Sequence, residues 1–208
     1  MRRLILYILP LLMFFSCNKA ELVDIVHLGA LDKEMKVPST TVLDTIALVS
    51  DVHYEVEIIE GDDWLTLGAT GMFPLSRKEI PFRCEANYGF RRTGKVTLSA
   101  ASRVDTVYIR QEGALVDEVA IMDNVFDVPA AGGTYITEVV CHRYPDALNV
   151  DISAPNLIEA EYKDGFLTVT VGPATAKDPK SYTVTLYYMD GWGERVTAVA
   201  TINQKPRL

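Results

Sequence analysis

The feature that most constrains this chain is an alternating pattern of apolar and polar residues that occurs twice, about ninety residues apart. Phe126–Pro129 repeats the pattern of Met35–Pro38, and Leu148–Ile152 repeats that of Tyr54–Ile58. Alternation with a period of two predicts β-strands that bury one face. The repeat distance is too long for a solenoid and is typical of two tandem sandwiches. The sequence therefore predicts an all-β fold with a duplicated β-domain.

The second copy opens at Phe126–Tyr135, where a proline and two glycines separate two alternating runs. Gly132 and Gly133 are expected to supply the positive φ angles of a tight bend. The first copy has Ser39–Thr41 in their place. Apart from the N-terminal segment, no stretch shows helical periodicity, so every ordered element is expected to be a strand.

The N-terminal segment is predicted to be a secretory signal. Met1–Arg3 is basic, and the apolar run Leu4–Phe15 is about twelve residues long, where roughly twenty are needed to span a bilayer. Phe14–Cys17 resembles a bacterial lipobox, which implies that Cys17 becomes the lipidated first residue. A plain signal peptide with another cleavage site is the alternative. Two acyl chains on Cys17 would anchor the protein stably.

These features divide the chain into a lipoprotein signal peptide (1–16), a tether (17–23) and two β-sandwich domains (24–113 and 117–208). The linker between the domains is short and holds little proline or glycine beyond Gly113. Its reach is limited, so we expect the domains to stand end to end.

The charge and the cysteines exclude several classes of function. A formal net charge of −8 and the lack of a basic stripe argue against nucleic acid as a partner. Cys84 and Cys141 fall at strand positions, one in each domain, and we expect them to behave as small buried hydrophobic residues. A disulfide between them would have to join the two domains and is not expected.

No catalytic or metal-binding motif is present in the sequence. His27, His53 and His142 are scattered without ligand spacing, so neither a metal nor another cofactor is expected. The pair Asp62-Asp63 resembles half of a glycosidase carboxylate pair but lies in a turn before a strand, where it solvates a chain reversal. The protein is therefore predicted not to be an enzyme.

Exposed aromatic rings are the remaining candidates for a binding site, because sugars stack on such rings beside polar side chains. Trp64 is expected in the core, next to Leu65 and Leu67. Trp192 lies between two glycines at a predicted hairpin tip longer than its counterpart in the first half, with Asp190 and Glu194 beside it. The alternative for Trp192 is packing against the other domain or a partner.

A second group of candidate ligand-binding residues lies in the first domain. Tyr88, Phe90 and Arg91 occupy a glycine-containing loop between two predicted strands. Packing against the other domain is again the alternative to ligand binding.

Two sets of motifs resemble the BACON domain, a short immunoglobulin-like sandwich common in secreted and surface proteins of Bacteroidetes. The second half carries the opening motif, and the first half carries the later ones. The matching segments are Val128–Thr134, Asp63–Leu65, Ala86-Asn87, Arg92–Leu98 and Ile109–Gly113. The second domain departs from the pattern in having Leu157 at the position of Trp64.

The resemblance implies two tandem immunoglobulin-like domains in a non-catalytic lipoprotein of the cell envelope. It further implies a carbohydrate-binding or mucin-binding module, or a spacer. The alternative is a structural subunit that recognises a surface protein through loops or edge strands. In both cases the lipid anchor would hold the protein on the outer membrane, facing either the cell surface or the periplasm.

Overall fold

The computed structural model describes residues 26–101 and 103–207 of the chain. The predicted signal peptide, Cys17 and the tether lie outside the described residues. All elements of the described part are β-strands, and none of it forms a helix that could cross a membrane. The all-β prediction is therefore confirmed.

The first domain places nine strands in two sheets, one ordered β1-β3-β7-β5 and the other β2-β9-β8-β4-β6. The strands are β1 (Leu28–Ala30), β2 (Glu34–Val37), β3 (Val42–Ser50), β4 (Tyr54–Glu60), β5 (Leu65–Leu67), β6 (Gly71–Phe73), β7 (Glu79–Cys84), β8 (Arg92–Ala100) and β9 (Arg103–Gln111).

The second domain has eight strands in sheets ordered β10-β12-β15-β14 and β11-β17-β16-β13. The strands are β10 (Val119–Ile121), β11 (Val125–Val128), β12 (Gly133–Cys141), β13 (Asn149–Ile152), β14 (Ile158–Lys163), β15 (Phe166–Val171), β16 (Lys180–Met189) and β17 (Arg195–Gln204).

The strand orders are those of an immunoglobulin-like sandwich. When the seven main strands of each domain are lettered in chain order, the first sheet has the order A-B-E-D and the second contains G-F-C. One further strand, β2 or β11, runs parallel to the last strand of its domain. All other pairings are antiparallel, and the first domain adds β6 beside β4.

Each sandwich encloses its own apolar core, because alternate residues of both sheets point inward. Ile46, Phe82 and Ile109 are fully buried in the first core, and Leu167 and Leu186 are fully buried in the second.

Cys84 and Cys141 are free thiols, each buried within its own core, as the sequence predicted. Burial raises the pKa of the Cys84 thiol to about 11, so this thiol stays protonated and packs as an apolar group.

The two domains share hydrogen bonds at equivalent positions. The amide of Leu65 donates to the carbonyl of Gly61 (2.8 Å), and the amide of Ile158 donates to that of Ala154 (2.9 Å). These bonds close the same turn before β5 and β14. Leu157 therefore occupies the place of Trp64, as the repeat predicted.

A buried glutamine ends the last strand of each domain. The Gln111 side chain donates to the carbonyl of Glu85 (2.8 Å), and that of Gln204 donates to the carbonyl of Gly172 (2.7 Å). Each glutamine thus ties its strand to the end of the opposite sheet and satisfies a buried amide.

Local details differ from the sequence prediction. The short strands β6 and β10 were not predicted. Of the two glycines that open the second copy, only Gly132 has a positive φ, of 82°. Gly133 is the first residue of β12.

Candidate functional site at the domain junction

The tip of the β16–β17 hairpin, residues 190–194, contacts the first domain. Thr93 at the start of β8 donates its hydroxyl proton to the carbonyl of Gly191 (2.6 Å). The indole Nε1–H of Trp192 donates to the carbonyl of Gln111, at the end of β9 (3.2 Å). We call these residues and their neighbours the junction.

Trp192 is buried, with 7% of its surface exposed. The Lys36 ammonium and the Arg91 guanidinium both lie 4.9 Å from the centroid of its ring, close enough for cation–π attraction. The ring is thus covered by cations of the first domain. The sequence suggested an exposed ring for sugar stacking, whereas the structure places it between the domains, which was the alternative.

Asp190 shapes the hairpin tip. Its Oδ1 accepts hydrogen bonds from the amides of Trp192 (2.7 Å) and Glu194 (3.0 Å). Its Oδ2 lies 2.7 Å from Nη2 of Arg91, an ion pair whose angles fall outside those of a hydrogen bond. Because the Asp190 side chain is fully buried, Arg91 is the group that balances its charge.

Arg91 connects three carboxylates. Besides Asp190, its guanidinium contacts Asp117 through Nε (3.3 Å) and Glu194 through Nη1 (3.0 Å). Asp117 belongs to the linker, and the two other acids belong to the hairpin tip. One side chain of the first domain therefore holds two separate segments that follow it in the chain.

Asp117 is the most buried acid of the linker, with a side chain only 2% exposed. Its Oδ1 accepts hydrogen bonds from Nη1 of Arg143 (2.7 Å) and from the Tyr188 hydroxyl (3.2 Å). A second contact of Arg143 crosses to the first domain, where Nη2 donates to the carbonyl of Arg91 (3.2 Å).

The titration of these groups fits a permanent network. Burial and the neighbouring carboxylate of Asp117 raise the pKa of Tyr188, so its hydroxyl remains a neutral donor. Burial lowers the pKa of Arg143, but hydrogen bonds to Asp117 and Tyr144 outweigh this effect and raise it overall. Both donors keep their protons across the physiological pH range.

Two glycines allow close backbone approaches, one between the domains and one within the first. A Cβ atom at Gly191 would overlap the carbonyl of Arg91 across the junction, and one at Gly113 would overlap the backbone of Gly89 and Phe90 in its own domain. Neither neighbour is a flexible side chain that could move aside.

A buried asparagine fixes the loop that carries Tyr88 and Phe90. The Asn87 side chain donates to the carbonyls of Phe90 (2.8 Å) and Glu112 (3.0 Å) and accepts from the amide of Gly89 (3.1 Å). Asn87 was noted in the sequence only as part of a family motif.

Tyr88 and Phe90 differ in accessibility. Tyr88 is 83% exposed, whereas Phe90 is half-buried beneath the guanidinium of Arg143, 5.3 Å from its centroid. An open groove of about 500 Å³ lies beside Phe90 and the linker. Its lining residues are Phe90, Leu115, Val116, Glu118 and His142.

Of the six predicted ligand-binding residues, the structure brings four together at the junction: Trp192, Arg91, Asp190 and Glu194. They contact one another across the domain boundary and do not line an open site. Phe90 borders them, and Tyr88 points to solvent.

Sequence reasoning missed Asp117, Arg143 and Gln111, which complete the junction. For Asp117 the sequence did hold a signal, because an acidic residue in so short a linker must lie close to both domains. Nothing in this arrangement resembles a nucleophile beside a base. Across residues 26–101 and 103–207, no cluster of three or more potential metal ligands occurs.

No protein-family model matches the chain, and no curated protein sequence matches it. Among solved structures, a chimeric titin Z1Z2 tandem carrying a fibronectin peptide has a TM-score of 0.41 and 11% identity, over 88% of this chain and 100% of its own. A Bacteroides ovatus GH5 xyloglucanase bound to a heptasaccharide has a TM-score of 0.35 and 16% identity over 51% of this chain.

A third similar structure is an endo-fucoidan hydrolase of glycoside hydrolase family 107, with a TM-score of 0.33 and 11% identity over 86% of this chain. This chain spans only 29% of that hydrolase and 22% of the xyloglucanase. Similarities this distant carry no argument about function.

Proposed function

We propose that the protein is a non-catalytic lipoprotein of the cell envelope, anchored through Cys17, whose two BACON-like domains form a spacer of fixed geometry. The observation that carries the proposal is the junction, where the buried carboxylates of Asp117 and Asp190 are paired with arginines across the domain boundary.

Buried ion pairs of this kind favour a single geometry. A charge removed from water must be matched by a partner at the correct distance, or it costs several kcal/mol. Rotating one domain would separate Arg91 from Asp190 and withdraw Trp192 from the carbonyl of Gln111. A spacer needs such a fixed relation between its ends, whereas a flexible tether does not.

The spacer role is tested by measuring inter-domain distances. Spin labels at the exposed positions Glu57 and Glu159, one in each domain, report the separation by pulsed electron resonance. We expect a narrow distance distribution in the wild type and a broad one in Arg91→Ala. Arg195→Ala, which removes an exposed ion pair with Asp151, is the matched control and should leave the distribution narrow.

A wild-type distribution as broad as that of Arg91→Ala would overturn the spacer role. Anchoring is tested separately: cells fed labelled palmitate should label the wild-type protein and not Cys17→Ser. Protease treatment of intact cells then distinguishes surface from periplasmic placement.

A second candidate function is glycan binding, and its support now rests on Tyr88. This ring is 83% exposed, and Phe90, two residues further along the same loop, lines an open groove. Stacking on one accessible ring contributes on the order of 1 kcal/mol, so binding would be weak and would depend on Tyr88.

Retention on immobilised host and dietary glycans tests this function. We expect Tyr88→Ala to abolish retention and Tyr187→Ala, a change on an outer sheet face of the second domain, to preserve it. Wild-type protein that is not retained would leave the spacer as the function.

A further inference from the structure

The surface that receives Trp192 in the first domain has an equivalent in the second. The strand register defines the equivalence. In the first domain, Arg110 pairs with Lys36 on one side and with Thr93 on the other. In the second domain, Asn203 pairs with Asp127 on the first of these sides. Ser181 pairs with Asn203 on the other side, and the buried glutamines Gln111 and Gln204 lie one residue further along.

In the first domain this surface is filled by the hairpin tip of the second. Two contacts of the tip are hydrogen bonds to the first domain, one to a backbone carbonyl and one to a hydroxyl group. The carbonyl of Gln111 accepts the indole proton of Trp192, and the hydroxyl of Thr93 donates to Gly191. Two cations, Arg91 and Lys36, lie beside the ring.

In the second domain the equivalent surface is an open cleft of about 560 Å³. Four of the residues that line it correspond by register to the residues that contact the tip in the first domain. Asp127, Pro179, Ser181 and Gln204 stand at the places of Lys36, Arg91, Thr93 and Gln111.

We propose that this cleft, the socket, binds a β-hairpin tip of a partner protein that presents an aromatic N–H donor. The chain's own junction shows how such a tip would sit. The carbonyl of Gln204 would accept the donor, and the Ser181 hydroxyl would contact the backbone of the tip. Binding at the socket requires neither lipid anchoring, nor glycan binding, nor a fixed spacer geometry.

The side chains of the socket indicate the charge of the partner. Two exposed lysines, Lys180 and Lys205, line it against one acid, Asp127. Pro179 replaces the arginine that anchors the first junction. An acidic tip, like the Asp190–Glu194 tip of this chain, would meet these lysines. Without the counterpart of Arg91, binding should be weaker than the intramolecular contact.

A second copy of this chain does not offer a suitable tip. Its β16–β17 tip is already buried at its own junction. The other tryptophan of the sequence, Trp64, is buried in the core of the first domain. The partner is therefore expected to be a different protein.

The probe for the test is a cyclic peptide with the sequence of residues 189–195, which reproduces the tip of this chain. It is titrated into the two-domain protein while backbone amide signals are followed by NMR. We expect saturable shifts at Asp127, Ser181 and Gln204 in the millimolar range. A peptide with alanine in place of its tryptophan should cause no such shifts.

Three variants decide the outcome. Asn203→Trp fills the socket and should abolish the shifts, while Val199→Trp, on the same strand but outside the socket, should retain them. Pro179→Arg restores the missing cation and should tighten binding several-fold.

The proposal is overturned if the wild type shows no saturable shifts, or if Asn203→Trp leaves them unchanged. Shifts at the socket that appear on concentrating the protein without peptide would replace the proposed partner with a second copy. All of these readouts are separate from the distance measurement that tests the spacer.

Discussion

In the first domain, Trp64 packs beside the turn that precedes β5, and at the equivalent place in the second domain stands Leu157. Trp64 is 5% exposed and lies under the Arg92 guanidinium, 4.3 Å from its ring centroid. Leu157 is half-buried and packs at the edge of its core. The two turns have the same backbone hydrogen bonds, but Gly61 has a positive φ of 93°, whereas the equivalent Ala154 does not have a positive φ.

Two glycines explain why only the first domain accommodates the larger ring. A Cβ added at Gly61 would lie 3.0 Å from the Trp64 ring, and one added at Gly94 would lie 3.1 Å from it. By the strand register and the shared turn, the second domain has Ala154 and Tyr182 at these positions. An indole ring placed as in the first domain would therefore meet a side chain at both positions.

The comparison shows that a duplicated sandwich can keep its hydrogen-bonded frame while its ends diverge. The C-terminal end of the first domain carries Trp64 and is covered by Trp192 of the second domain. The same end of the second domain has Leu157 and the open socket.

The largest effect is expected from emptying the Trp64 position. Trp64→Ala should lower the free energy of unfolding of the first domain by about 3–5 kcal/mol, because a buried ring is lost and a cavity remains. Leu157→Ala, the matched change, should cost less than half as much, since its side chain is already half-exposed. Urea unfolding with NMR signals assigned to each domain measures both. Equal losses would show that the two ends are energetically alike.

The features that separate the domains were only partly visible in the sequence. The alternation predicted the strands and the equivalence of Trp64 with Leu157, because period-two patterning is a local property that directly reflects burial. The short strands β6 and β10 were missed, since three residues are too few to show a period.

The junction could not be predicted from local pattern. Gly191 and Gly193 around an aromatic residue indicate a loop tip, and loop tips are usually exposed. Trp192 is buried through a contact with Gln111, eighty-one residues away in sequence. The usable signal was the match between Arg91 and the acids Asp190 and Glu194, which were proposed together, but as ligands for a sugar.

The second prediction compares a buried ion pair with an exposed one. Asp117→Ala leaves Arg91 and Arg143 without a shared carboxylate and should lower the free energy of unfolding by about 3 kcal/mol. This value is at the lower end of the range for breaking a buried ion pair, because Arg91 keeps its other partners. Asp151→Ala removes the exposed pair with Arg195 and should cost less than about 1 kcal/mol. Thermal and urea unfolding measure the difference, which should persist at high salt only for Asp117. Similar costs for the two variants would mean that the junction adds no stability.

The third prediction inserts the first domain's residue into the second. Leu157→Trp should destabilise the second domain by about 1–3 kcal/mol, because the ring meets side chains that the first domain lacks. Adding Ala154→Gly should recover part of this loss by restoring the space found at Gly61. If Leu157→Trp alone proves neutral or stabilising in urea unfolding, the two glycines are not what admits Trp64.

A carboxylate near the first strand marks a further difference between the domains. Oδ2 of Asp105, on β9, accepts a hydrogen bond from the amide of Ala30 (2.9 Å), and Oδ1 contacts Lys33. In the second domain the register places Ala198 at this position. Only the first domain therefore fixes its opening strands with a charge.

The smallest effect is expected from Asp105→Asn, and it should depend on pH. Burial raises the pKa of Asp105, but hydrogen bonds from Lys33 and Ala30 outweigh this and lower it below its ordinary value of 3.8. The carboxylate therefore stabilises the fold fully above that value, and its contribution is lost as the pH falls through the folded-state pKa. At pH 7, Asp105→Asn should cost about 1 kcal/mol, and the difference from wild type should shrink below about pH 4. Asp44→Asn, an exposed carboxylate of the same domain, controls for the lost charge in urea unfolding across pH. A difference that stays constant from pH 7 to pH 3 would show that packing of Asp105, and not its charge, holds β1 in place.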